Sequence, residues 1–140
     1  MLASPSILLT AAVTVLAVVL YVYTAIRVGN FREKHNISAP TVTGHPEFER
    51  AYRVQMNTLE AMPVFLPALW LASIYFTRVG LLAPAIGLVW IVGRIVYMQT
   101  YMADPSKRGL GFGISALSQI ALLLLAIAGI VMAWSAATAT

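Results

Sequence analysis

The chain has 140 residues, of which 60% are hydrophobic and only 10% charged, with no cysteine and a formal net charge of +4. Soluble domains run at roughly 45–50% apolar and about 25% charged, so a water-soluble globular fold is excluded. The absence of cysteine excludes disulfides and cysteine nucleophiles. A nucleic-acid binder needs a soluble basic face on a matching fold, so nucleic acid is not an expected partner.

Four apolar stretches are long enough to cross a bilayer as helices: Ile7 to Ile26, Ala61 to Thr77, Leu81 to Met102 and Ile114 to Ala137. None has the alternating pattern of a barrel strand. The expected fold is therefore an all-α membrane protein, a bundle of four transmembrane helices forming a single domain over residues 1–140. Met1 to Ser6 carries no basic residue and Arg27 follows the first run, which favours a retained helix over a cleaved secretion signal.

The first connection, Val28 to about Gly44, reads as an ordered loop because it holds Asn36, Pro40 and Gly44. The second helix is expected to begin near Pro46, since Glu47 and Glu49 suit a helix N-terminus. Arg78 to Gly80 reads as a tight turn, and Asp104-Pro105 with Gly109, Gly111 and Gly113 as a turn-rich third connection. Arg27, Arg32, Lys34, Arg50 and Arg53 lie between the first two spans, and Lys107 and Arg108 between the last two. Only Arg78 lies in the opposite connection. The positive-inside rule then places both basic connections in the cytoplasm and both termini on the other side.

Charge inside the apolar runs is the informative feature. A charged side chain at membrane depth costs several kcal/mol unless it is paired or wetted, and it usually lines a polar cavity. At roughly 100° per residue, Arg53, Asn57 and Glu60 fall on one narrow face of the second helix. Arg94, Tyr97 and Tyr101 do the same on the third. Two readings compete. The groups act as interhelical glue, with Arg94 satisfying Glu60 across the bundle. Alternatively they line a pocket in which Arg32, Arg53, Arg94 and Arg108 outnumber Glu60, a positive excess that calls for an anionic ligand.

Other chemistry is weakly signalled. His35 and His45 share one loop without supporting ligands, so no metal is expected. Gly109-Leu110-Gly111-Phe112-Gly113 lacks the final glycine and preceding strand of a dinucleotide loop and reads as a helix entry. Trp70, Trp90 and Trp134 read as lipid-facing or interfacial aromatics, and Pro63, Pro67 and Pro84 as shape devices within spans.

The segment PEFERAYRVQMNTLEAMPVFLPALW (Pro46 to Trp70) and the segment GRIVYMQTYMADPSKRG (Gly93 to Gly109) resemble the signature of the membrane-associated proteins in eicosanoid and glutathione metabolism. The likeness is to the microsomal glutathione transferase and leukotriene C4 synthase branch and covers nearly the whole chain. It implies a homotrimer in membrane lipid with glutathione, as substrate or cofactor, bound between neighbouring subunits. It implies glutathione-binding roles for Arg32, Arg53, Gln55, Asn57, Glu60, Arg94, Tyr97 and Tyr101, and a catalytic role for Arg108 in stabilising the thiolate.

The implied reaction is attack of that thiolate on a lipophilic electrophile, with peroxidase action on a lipid hydroperoxide beside it. The implied location is the bacterial inner membrane or the endoplasmic reticulum, with the site facing the cytoplasm. The chain departs from the eicosanoid-making pattern at Ala61, where a tyrosine is usual, and at Glu33, where an arginine is usual. A glutathione-dependent isomerase of the prostaglandin E synthase type is the alternative enzyme. A lipid-binding helper of the five-lipoxygenase activating protein type is the non-enzymatic one.

Overall fold

The computed structural model describes residues 4–139. They form four long helices: α1 (Pro5–Lys34), α2 (Pro46–Tyr75), α3 (Leu82–Ala103) and α4 (Gly109–Thr138). Short 3₁₀ turns, Thr77–Val79 and Pro105–Arg108, make the second and third connections. All four helices are long and apolar enough to cross a membrane. At about 1.5 Å per residue, α1, α2 and α4 extend roughly 45 Å, beyond the ~30 Å hydrocarbon core.

Two connections are shorter than expected. The segment from Val28 to Lys34 is helical rather than loop. Its one glycine, Gly29, faces open space and breaks nothing. The helix stops at Asn36, whose φ of 52° is left-handed. There Asn36 N donates to Glu33 O at 3.2 Å and Ile37 N to Arg32 O at 2.9 Å, a Schellman ending. The third connection ends at Arg108, so Gly109, Gly111 and Gly113 belong to α4.

Helix α2 starts as the sequence predicts. His45 is its N-cap, its Nδ1 accepting from Glu47 N at 3.3 Å, with Pro46 in the first helical position. Gly44, at φ 136°, takes a backbone conformation open to glycine, and its N–H donates to Glu49 Oε1 at 2.9 Å.

The core contains one contiguous cluster drawn from all four helices, including Val13, Phe65, Leu69, Ile91 and Leu122. Trp90 lies inside it, 0% exposed and stacked on Phe65 with centroids 3.8 Å apart, not lipid-facing as expected. Trp70 also turns inward, donating to Thr14 Oγ1 at 3.1 Å, whereas Trp134 is 72% exposed. At the end opposite the basic connections, polar glue joins helices: Thr10 and Ser73 hydroxyls meet at 2.7 Å, and Ser6 Oγ donates to Gly80 O.

Helices α3 and α4 approach so closely that side chains are excluded. A Cβ at Gly111 would lie 2.2 Å from Tyr97 N, and one at Gly93 2.8 Å from Ser115 N. These glycines set the distance between the helix carrying Tyr97 and the one that begins beside Arg108.

Candidate functional site

The polar stripes of α2 and α3 face one cavity of about 850 Å³, which α4 also lines. Arg53, Asn57, Glu60, Arg94, Tyr97, Tyr101 and Arg108 all line it, so seven of the sequence-predicted residues come together.

Arg94 is the most enclosed of the charged residues among these, at 3% exposed. Its Nη2 donates to Thr58 Oγ1 at 2.7 Å, and that hydroxyl donates in turn to Val54 O at 2.8 Å. The guanidinium lies over the Tyr97 ring, 4.3 Å from its centroid. Its Nε is buried without a hydrogen-bond partner. Orphaned buried donors are rare in folded proteins, and Trp90 Nε1 in the core is the other one among the described residues.

Asn57 Nδ2 donates to Tyr97 Oη at 2.5 Å, leaving the phenol proton free for an acceptor. Tyr101 packs beside Tyr97 with centroids 5.4 Å apart, and Arg108 stands 6.0 Å above the Tyr101 ring.

The glue reading fails in its specific form, because Arg94 reaches Thr58 rather than Glu60. Among the described residues, the ion pairs within 4.0 Å join Lys34 and His35 to Glu47, and none joins Glu60 to Arg53, Arg94 or Arg108. Three guanidinium groups and one carboxylate therefore line the cavity without neutralising one another.

Arg32 and Gln55 do not line this cavity. Arg32 Nη1 donates to Thr41 O at 2.7 Å and its guanidinium covers the Phe48 ring at 4.6 Å. Gln55 is two residues from Arg53, about 200° around α2, and so cannot share its face.

The turn carrying Arg108 is tied down on both sides. Arg50 Nη1 donates to Met102 O at 3.1 Å and to Ala103 O at 3.3 Å, serving the last carbonyls of α3. Asp104 Oδ1 accepts from Ser106 Oγ at 2.8 Å and Ser106 N at 2.9 Å. Those bonds hold the Asp104 carboxyl below its usual range.

Sequence reasoning missed Thr58 and the α4 wall, where Ser115 and Gln119 line the cavity. The signal existed: Ser115 and Gln119, four apart in a mostly apolar span, share one helix face. It also missed Glu47, which joins His35 and His45 so that one ligand atom from each lies within 4.8 Å of the others. The imidazoles are stacked, with centroids 3.5 Å apart and planes 13° apart. Their nitrogens are engaged within the cluster, His35 Nε2 with Glu47 Oε2 at 2.9 Å and His45 Nδ1 with Glu47 N at 3.3 Å. The cluster ties the end of α1 to the start of α2.

The MAPEG family model matches residues 10–128. The chain is 44% identical over 124 residues to human microsomal glutathione S-transferase 2, covering 89% of this chain and 82% of that protein. It is 39% identical over 122 residues to leukotriene C4 synthase of Cavia porcellus, covering 87% and 80%. An uncharacterized protein of Synechocystis sp. is 43% identical over 114 residues, covering 81% and 82%. The chain belongs to the MAPEG family and is a multi-pass membrane protein.

Proposed function

We propose that this protein is a glutathione transferase whose cavity binds glutathione and activates its thiol for attack on lipophilic electrophiles. The observation that carries the reading is the set of three arginines and one glutamate at one membrane-embedded cavity, with Arg94 Nε unpartnered. Glutathione has two carboxylates, an ammonium and a thiol. Arginines pair with carboxylates through planar charge-assisted bonds, and Glu60 suits the ammonium. The names of the relatives, a glutathione S-transferase and a leukotriene synthase, support the same chemistry.

In this reading Arg108 acts on the sulfur. A free thiol with a pKa of about 8.5 is mostly protonated at neutral pH, and an adjacent cation favours the thiolate. The thiolate attacks the electrophilic carbon, a C–S bond forms, and the leaving group departs with its electron pair. With a lipid hydroperoxide, two glutathiones would give the disulfide, an alcohol and water.

The protein acts as a homotrimer in which Arg32 and Gln55 complete a neighbouring subunit's site. Their placement away from their own chain's cavity supports this arrangement. The charged end of the cavity faces the cytoplasm, at a bacterial inner membrane or the endoplasmic reticulum. A role in detoxification is in keeping with the apolar residues at one end of the cavity, Val64, Ile120 and Leu123 among them.

The test is calorimetry of glutathione with the detergent-purified protein, followed by conjugation of a model aryl halide. Saturable binding with turnover is the expected result. Binding without conjugation of any electrophile would leave a binding protein, and no binding would overturn the reading.

A further inference from the structure

The cavity is polar at one end and apolar at the other, where Val64, Ala116, Ile120 and Leu123 line it. One amide, Gln119, interrupts that apolar half. It lies eleven residues beyond Arg108, about three turns and roughly 16 Å farther along the same side of α4. Gln119 is thus about three turns from Arg108, the residue assigned to the sulfur, and stands across from Ala61, the residue after Glu60.

Its amide orientation is fixed. Gln119 donates through Nε2 to Ala61 O at 3.0 Å. A carbonyl only accepts, so the nitrogen must face α2, and Oε1 is left as an acceptor. Helix repair does not explain the bond. The prolines of α2, Pro63 and Pro67, lack the N–H groups that would serve Leu59 O and Pro63 O. Gln119 bonds neither, and Ala61 O has Phe65 N–H in helical register. An amide oxygen in an apolar cavity carries a desolvation cost that a donor on a ligand would remove.

We propose that Gln119 is a specificity-determining residue, its Oε1 accepting a hydrogen bond from a hydroxyl on the alkyl chain of a lipophilic electrophile. The substrate class is an acyl or alkyl electrophile hydroxylated partway along its chain, remote from the reacting carbon. This inference rests on the transferase reading of the same cavity.

The experiment uses the full-length protein in lipid nanodiscs with alkyl enones of equal chain length, the hydroxyl placed at successive chain positions. Rates of conjugation are corrected for reaction with free glutathione. The wild type should favour one hydroxyl position over the unsubstituted chain roughly tenfold in kcat/KM, the size of one net hydrogen bond. Gln119→Leu should bring that ratio to about one while glutathione binding stays unchanged. Gln119→Met, unbranched and of similar length, replaces it if the leucine variant does not assemble.

Competition binding of unreactive saturated ketones carrying the same hydroxyls reads the same preference without turnover. If no conjugation occurs but the ketones still show a Gln119-dependent preference, the transferase reading fails and the recognition stands. A flat response to hydroxyl position in the wild type overturns the inference, as does a preference that survives both substitutions.

Discussion

Thr58 on α2 holds Arg94 on α3: its hydroxyl accepts from the guanidinium at 2.7 Å while donating to Val54 O at 2.8 Å. Both bonds are buried, so the arginine is anchored by a neutral side chain that uses its donor and an acceptor together. Thr58→Val keeps the shape and removes the acceptor. The variant should lose about 1–3 kcal/mol of stability, the cost of an unsatisfied buried donor, and Thr58→Ser should lose much less. Thermal unfolding in detergent measures both. Equal stability of the valine variant and the wild type would show that the bond contributes little.

Gly111 and Gly113 make an internal comparison within one turn of α4. A methyl at Gly111 would meet Tyr97 backbone atoms at 2.2 and 2.5 Å, whereas one at Gly113 meets nothing within 4 Å. Gly111→Ala should destabilise by about 1–3 kcal/mol or more, because backbone cannot swing aside. It should also weaken glutathione binding by moving Tyr97. Gly113→Ala should be neutral or stabilising by up to about 1 kcal/mol through helix propensity.

Arg108→Ala should cut turnover far more than glutathione affinity. The bound thiolate's absorbance should develop at higher pH in the variant, by one unit or more if the arginine contributes about 1.4 kcal/mol. Arg108→Lys should recover part of the shift, restoring charge without the planar fork. Normal turnover with an unchanged titration in the alanine variant would move attention to Tyr97 and Tyr101.

Asp104 supplies a pH signature. Its carboxyl is held below the usual range by the Ser106 hydroxyl and N–H. A depressed folded-state pKa gives stability that is fully present above the unfolded value, near 3.9, and is lost as pH falls through the folded one. The difference in melting temperature between wild type and Asp104→Asn should be constant above about pH 5 and shrink below about pH 4. The effect should be small, since both bonds to Ser106 lie in contact with solvent. A difference that does not change with pH would remove the ionised cap from the account.

Orientation is testable because the chain has no cysteine of its own. Ser106→Cys and Thr138→Cys should react from opposite sides of sealed vesicles with an impermeant thiol reagent, the first from the cytoplasmic side. Labelling of both from one side would reverse the topology argument.

The bundle was legible because hydropathy alone decides what can sit in lipid, and all four spans are found as helices. The two polar faces were legible because helical geometry converts spacing into direction; Arg53, Asn57 and Glu60 meet Arg94, Tyr97 and Tyr101. The end of α1 was not. Arg32, Glu33 and Lys34 signal departure from an apolar environment, which is different from departure from a helix. Trp90 was misread because an aromatic near a span's centre fits the core as well as the lipid, and its stacking on Phe65 depends on a distant partner. Thr58 escaped notice because a threonine within a helix carries no sign of the arginine it will meet. Gly111 looked like a turn former, since the same missing side chain permits both a turn and a close helix crossing.

A cavity with guanidinium groups at one end and aliphatic side chains at the other also governs departure. An adduct that joins a charged peptide to an oily chain cannot leave as its oily precursor entered, because carrying those charges into hydrocarbon costs several kcal/mol. In the proposed reaction its exit would lie past Arg53 and Arg108, toward water. Under the proposed function the two-ended lining would act as a rectifier: material drawn from the bilayer would be returned to the aqueous phase, and the direction would come from solvation without any moving gate.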